Sequence, residues 1–134
     1  MVTAVLTDQV QLAFLDISVV LPLIKEGKLK PLAVTAAQRN SALADVPTML
    51  ECGIENYVAT FWTGVLAPAG TSPAIVDTLN GVINAGLRAA SVREALERIG
   101  AAPSPASPAE FKAFIAAEYK KWKDAVLLAG ISVE

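Results

Sequence analysis

Short apolar blocks bounded by Gly, Pro and acidic residues come first along this chain, and helical spacing takes over from Pro73. Val10–Leu15 is apolar and stops at Asp16, the pattern of a buried strand that delivers an acid to a loop. Val19, Val20, Leu23 and Ile24 then keep helical spacing, with Ser18 as cap and Gly27 between Lys25 and Lys28 as terminator; Pro22 limits this helix to about two turns. Leu29–Ala36 reads as a second buried strand centred on Leu32–Thr35, with Pro31 near its start. Strand, helix, strand in this length implies a right-handed parallel crossover. After a polar stretch from Gln38 to Pro47, Thr48–Glu51 offers a capping box and Gly53 an early stop. Tyr57–Ala67 alternates loosely and reads as a third strand with Trp62 in the core, turning at Pro68–Thr71.

Ser72 and Pro73 open the first long helix, whose Ile75, Val76, Leu79, Val82, Ile83 and Leu87 share one face. Gly81 and Gly86 within it imply close approach of another backbone. Ser91–Glu94 is a second capping box, followed by Val92, Ala95, Leu96 and Ile99 and closed by Gly100. Ser107, Pro108 and Glu110 start a last helix that runs to about Ala129, ends at Gly130 and leaves Ile131–Glu134 as a docking tail. Its Phe111, Phe114, Ile115, Trp122 and Val126 are assigned to the core, and Lys112, Lys120, Lys121 and Lys123 to solvent.

Composition then removes most chemistries. The 134 residues are 54% hydrophobic and 18% charged, which fits one compact α/β unit. Eleven basic residues against 13 acidic ones leave a net charge of −2 and no basic stripe, so nucleic acid is not an expected partner. The chain contains no histidine, which excludes Ser-His and Cys-His nucleophile pairs and the zincin motifs. Cys52 is the one cysteine, so no internal disulfide or thiolate metal cluster can form, and its neighbourhood predicts a buried structural thiol. No catalytic residue, metal or cofactor is expected. No apolar run is long enough to cross a membrane, and the start of the chain lacks a signal-peptide pattern, so the chain made as given is expected in the cytoplasm.

The candidate site is the end of the first strand. An apolar strand stopping at a carboxylate places Asp16 at the carboxyl edge of a sheet, where ligands of α/β folds bind; a turn or cap role is the alternative. Phe14, Leu15, Ile17 and Ser18 share that edge, and the amides at the start of the following helix suit an anion. Arg39 in its polar loop is read as a solvated or structural charge. Glu118 falls among apolar positions within reach of Lys121 and Trp122, a boundary charge rather than a general acid. No helix carries paired inward-facing acids, so a two-carboxylate enzyme ranks last among the readings.

Five segments in order resemble the substrate-binding proteins of the tripartite tricarboxylate transporters, the Bug receptor family. Gln9-Val10-Gln11-Leu12-Ala13-Phe14 is similar to G-Q-V-D-L-A-F, and Gly27-Lys28-Leu29-Lys30-Pro31-Leu32-Ala33-Val34-Thr35 to G-K-L-R-x-L-A-V-T. Arg39 with Asp45–Gly53 resembles R…D-V-P-T-x-x-E-x-G, and Trp62–Thr71 resembles W-x-G-x-x-A-P-A-G-T. Ser107–Phe111, Trp122 and Ala129–Ile131 resemble S-P-x-E-F…W…A-G-I. Asp8 stands where the family usually has glycine, and Ala44 where it often has proline.

The resemblance implies the C-terminal part of a two-lobed, periplasmic-binding-protein-like α/β receptor that passes a small carboxylate to membrane transporter subunits, with no catalysis and no cofactor. Residues 1–30 would belong to the second lobe or hinge and 31–134 to the first lobe. The loop carried over from the family is Phe14, Leu15, Asp16, Ile17 and Ser18 as ligand-binding residues, and the location it implies is periplasmic. The rival is a self-associating α/β interaction module without ligand binding. In either case apolar surface matched to absent segments predicts a homodimer through Val10–Ile24.

Overall fold

The computed structural model describes residues 1–131. Its helices are α1 (Val2–Leu6), α2 (Ile17–Lys25), α3 (Pro73–Arg88), α4 (Ala90–Arg98) and α5 (Pro108–Leu128), with a single 3-10 turn at Ser41–Leu43. The chain divides into two units, residues 1–66 with 89–103, and residues 67–88 with the chain from 104 onward.

Helix ends follow local chemistry closely. In α5 the Ser107 hydroxyl accepts from Glu110 N while the Glu110 carboxylate accepts from Ser107 N, a reciprocal capping box with Pro108 at the first helical position. At Thr48 the same exchange forms, Thr48 N donating to Glu51 at 2.7 Å and Glu51 N to the Thr48 hydroxyl at 3.1 Å. Gly53, at φ +84°, closes that turn, with Gly53 N donating to Leu50 C=O and Ile54 N to Met49 C=O. This double closure needs a left-handed residue, which glycine adopts without a Cβ penalty. Gly27, Gly100 and Gly130 close α2, α4 and α5 with the same pair of bonds.

Two helix starts differ from the sequence reading. Asp16, not Ser18, caps α2: Ser18 N donates to Asp16 Oδ1 at 2.8 Å. Ala89 is the N-cap of α4 and makes no side-chain bond, so Ser91 lies inside the helix. With α3 ending at Arg88, one extended residue links the two helices and sets where the second begins. Val2–Leu6, which carried no helix signal, forms the short α1.

The three expected strands do not form ladders. Among the described residues there is no named strand, and Val34 pairs with Thr48 in a single parallel bridge. Val34 N donates to Pro47 C=O at 2.8 Å and Met49 N to Val34 C=O at 2.9 Å, while Ala59 N reaches Thr35 C=O at 2.9 Å. A strand is a property of a pair in register over several residues, and here the contacts stop at one bridge and one further bond. Val10–Leu15, Leu29–Ala36 and Tyr57–Ala67 are therefore irregular or extended backbone, and the parallel crossover is not made.

Burial is correspondingly thin. The buried residues of the first unit are Val20 and Leu21 of α2, Val46, Thr48 and Gly100. In that unit Asn40 links two elements: its Oδ1 accepts from Ala42 N to start the 3-10 turn, and its Nδ2 donates to Gly100 C=O at 2.8 Å. In the second unit α3 packs on α5, and Asn80 and Asn84, one turn apart on α3, both donate to Ala106 C=O just ahead of the α5 cap. The apolar faces assigned to the core are largely exposed: Ile75, Leu79 and Val82 on α3, Phe114 and Trp122 on α5, and Trp62. Cys52 is exposed rather than buried. A Cβ at Gly81 or Gly86 would meet nothing within 4 Å, so no backbone approaches there. Of the tail, Ile131 is exposed and residues 132–134 lie outside the described residues.

Candidate functional site

The loop that ends at α2 is built by its own cap. Asp16 adopts an extended backbone (φ −69°, ψ 128°), and its Oδ1 accepts from both the amide and the hydroxyl of Ser18, at 2.8 and 2.7 Å. One carboxylate oxygen thereby satisfies a helix-start donor that intrahelical bonds cannot reach, and its negative charge sits on the positive end of the helix. The alternative reading of Asp16 as a cap is thus realised, and the residue is only half-buried.

Around it the loop is mixed. Phe14 is 65% exposed and stacks on Tyr57 with ring centroids 6.1 Å apart, giving a flat apolar face beside the start of the helix. Ile17 turns inward over Gly100, where a Cβ would lie 3.0 Å from Ile17 Cδ1 and Cγ1. Leu15 is half-buried and Ser18 exposed. The five loop residues are consecutive, so the structure holds them together; they divide into an exposed ring, a capping pair and an inward anchor.

A groove of about 520 Å³ lies at the opposite end of α2, lined by Lys25, Ser41, Ala42, Glu94, Glu97 and Arg98. It shares no residue with the 14–18 loop. Its charges are mixed, Lys25 and Arg98 against Glu94 and Glu97, and Glu97 also pairs loosely at 3.9 Å with Arg93 outside the lining.

The other singled-out residues are structural. Arg39 Nε donates to both Glu51 oxygens at 3.0 Å, and its Nη1 donates to Ala44 C=O at 3.1 Å. That bond, with the Thr48 amide next, holds the Glu51 carboxyl down at about 2, and the same pairing raises Arg39 above its usual value. Glu118 accepts from Lys121 and from Trp122 Nε1, the latter at 3.1 Å, and Lys121 lies 5.3 Å from the Trp122 ring centre. Among the described residues no group of three or more Cys, Asp or Glu side chains could hold a metal, and no helix is long and apolar enough to cross a membrane.

A sequence model of the family described as tripartite tricarboxylate transporter family receptor (TctC) matches residues 1–130. The chain belongs to that receptor family. Protein BugT of Bordetella pertussis is 38% identical over 115 residues, 86% of this chain and 35% of BugT. A protein from the tcbD-tcbE intergenic region of Pseudomonas sp. strain P51 is 31% identical over 75% of this chain and 30% of its own length. The chain thus spans about a third of these curated relatives. Among solved structures, R. palustris Rpa4515 with adipate is 36% identical with a TM-score of 0.79, over 87% of this chain and 39% of that one. A periplasmic transporter structure is 32% identical with a TM-score of 0.87, over 99% of this chain and 44% of the other, and periplasmic binding protein BugD is 31% identical at 0.76. The fold is accordingly part of a periplasmic-binding-protein-like α/β fold, as the motif order implied. The TctC family consists of periplasmic solute-binding receptors and not of enzymes.

Reading residues one at a time missed Asn40, Asn80 and Asn84. The signal available was an Asn before a Ser-Ala turn, and two Asn at helical i,i+4 spacing, each able to donate to a carbonyl outside its own element.

Proposed function

We propose that this chain forms part of a periplasmic receptor for a small carboxylate, handed on to the membrane subunits of a tripartite tricarboxylate transporter. Residues 1–30 belong to the second lobe or hinge in this reading and 31–134 to the first lobe. The observation that carries it is the 36% identity to a structure solved with adipate, over 87% of this chain.

The proposed contacts are Phe14, Leu15, Asp16, Ile17 and Ser18. Adipate is a flexible chain of methylenes with a carboxylate at each end, so a site for it needs an apolar wall and a donor cluster. The exposed Phe14 ring, backed by Tyr57, supplies the wall, and the Ile17 amide, the first of α2, supplies a donor, since the Ser18 and Val19 amides already donate to Asp16. Asp16 would repel a carboxylate placed directly on it; its role is to hold Ser18 and the helix start in place, leaving the Ile17 amide for the ligand. Calorimetric titration of the chain with succinate, adipate and citrate tests this: saturable binding of at least one supports it, and no binding up to millimolar ligand overturns it.

A second reading keeps the chain as a self-associating module without ligand. It is favoured by the exposure of Leu12, Phe14 and Val19 along Val10–Ile24, which suits a homodimer. Sedimentation that finds a monomer at all concentrations removes it.

A further inference from the structure

Behind the 14–18 loop runs a series of contacts, all within the first unit, that ends at a residue distant in sequence. Ile17, whose amide is the donor assigned to the ligand, lays its side chain over Gly100, with three of its carbons in the space that a Cβ there would need. Gly100 is buried and left-handed at φ +75°, so only glycine presents Ile17 with this flat seat. The peptide that follows Gly100 is bonded on both sides. Ala101 N donates to Leu96 C=O at 3.0 Å, and Gly100 C=O accepts from Asn40 Nδ2 at 2.8 Å. The first of these bonds belongs to the closure of α4; the second comes from outside the helix and ties the peptide plane to the 3-10 turn. Asn40 is itself fixed at both ends of its amide, because Oδ1 accepts from Ala42 N at 2.9 Å.

The Asp16 cap orders the loop internally, and at its start α2 meets the end of α4 through Ile17 and Gly100. A donor serves a ligand only where a shell behind it holds it in place. We infer that Asn40 is a positioning residue for the carboxylate-binding loop: through Gly100 and Ile17 it sets where the Ile17 amide points, and so how tightly a carboxylate is held. The inference rests on the carboxylate reading of residues 14–18. It goes further than that reading, since a loop that bound ligand by its own structure would leave Asn40 without effect.

Asn40→Ser and Asn40→Asp test this, because each keeps an oxygen able to start the 3-10 turn and loses the donor to Gly100 C=O. Asn80→Ser, in the second unit, loses a bond of the same kind to Ala106 C=O and serves as control. Two quantities are read: calorimetric affinity for the tightest-binding of succinate, adipate and citrate, and hydrogen exchange in the free chain at the Ser18 and Val19 amides, which donate to Asp16. Both Asn40 variants should keep the helical circular dichroism of the parent, speed exchange at Ser18 and Val19, and weaken the ligand at least ~3-fold, the scale of one hydrogen bond. Asn80→Ser should change neither quantity. A parent that binds ligand while both Asn40 variants bind it equally well, or exchange at Ser18 and Val19 that does not respond to them, overturns the inference and leaves the carboxylate reading standing. Equal weakening by Asn80→Ser overturns it too, since the loss would then be one of general stability. A parent that binds none of the three carboxylates removes the reading and the inference together.

Discussion

Replacing Gly100 by alanine should damage this fold more than the same change at any other left-handed glycine, and the structure says why. Gly100 sits at φ +75°, so alanine there meets the left-handed penalty of about 1–2 kcal/mol. The added Cβ would also lie 3.0, 3.0 and 3.1 Å from three carbons of Ile17, well inside the ordinary contact distance. Moving Ile17 aside costs a further ~1–3 kcal/mol if it behaves like other overpacked sites. Gly53 provides the control: its φ is +84°, and a Cβ there meets nothing within 4 Å, so Gly53→Ala carries the backbone penalty alone. Urea unfolding followed by circular dichroism should therefore place Gly100→Ala below Gly53→Ala by about 1–3 kcal/mol. Adding Ile17→Ala to Gly100→Ala should be less costly than the sum of the single changes, because the truncated side chain no longer collides. Equal losses for the two glycines, or strict additivity with Ile17→Ala, would refute the packing of Ile17 on Gly100.

Asp16→Ala removes the α2 cap and should cost about 0.5–2 kcal/mol in the same assay, whereas Asp16→Asn, which keeps an acceptor, should be close to neutral. Glu51 has a folded value of about 2 against an ordinary 4.5, so its pairing stabilises the fold above pH 4.5, and that contribution is lost as pH falls from 4.5 towards 2. Glu51→Gln should flatten the acid limb of a stability-versus-pH profile in that window; an unchanged limb contradicts the Arg39 pairing. Trp122 is 49% exposed, so Trp122→Ala should cost roughly 1–2 kcal/mol, well under the ~3–5 kcal/mol of a core tryptophan, as read by thermal melting.

Helix ends were legible in the sequence because they are decided within a few residues. Thr48 with Glu51 and Ser107 with Glu110 carry both halves of a capping box in the local sequence, and Gly27, Gly53, Gly100 and Gly130 mark closures that need a left-handed residue. Strands were not legible in the same way. The apolar blocks at 10–15, 29–36 and 57–67 have the composition of strands, but a ladder needs a neighbour in register, and only 34–35 bonds to such neighbours, at Pro47, Met49 and Ala59. The same holds for Trp62 and Trp122: their sequence context reports the face they occupy, while exposure depends on what lies opposite. At the candidate loop the acid was found and its capping role stood as the alternative reading, with Ser18 the expected cap of α2; both are good caps, and the choice between them turns on a shift of two residues in where the helix starts. The motif order identified the family, because five separated segments carry more information than any one periodicity.

The claim that residues 14–18 take the carboxylate is tested most directly by titrating the isotope-labelled chain with adipate while following its amide resonances. The account predicts saturable shifts centred on the amides of Phe14, Ile17 and Ser18, with the Lys25, Ser41 and Arg98 amides of the groove at the far end of α2 unmoved. Shifts centred on that groove, or none at all at saturating adipate, would contradict it.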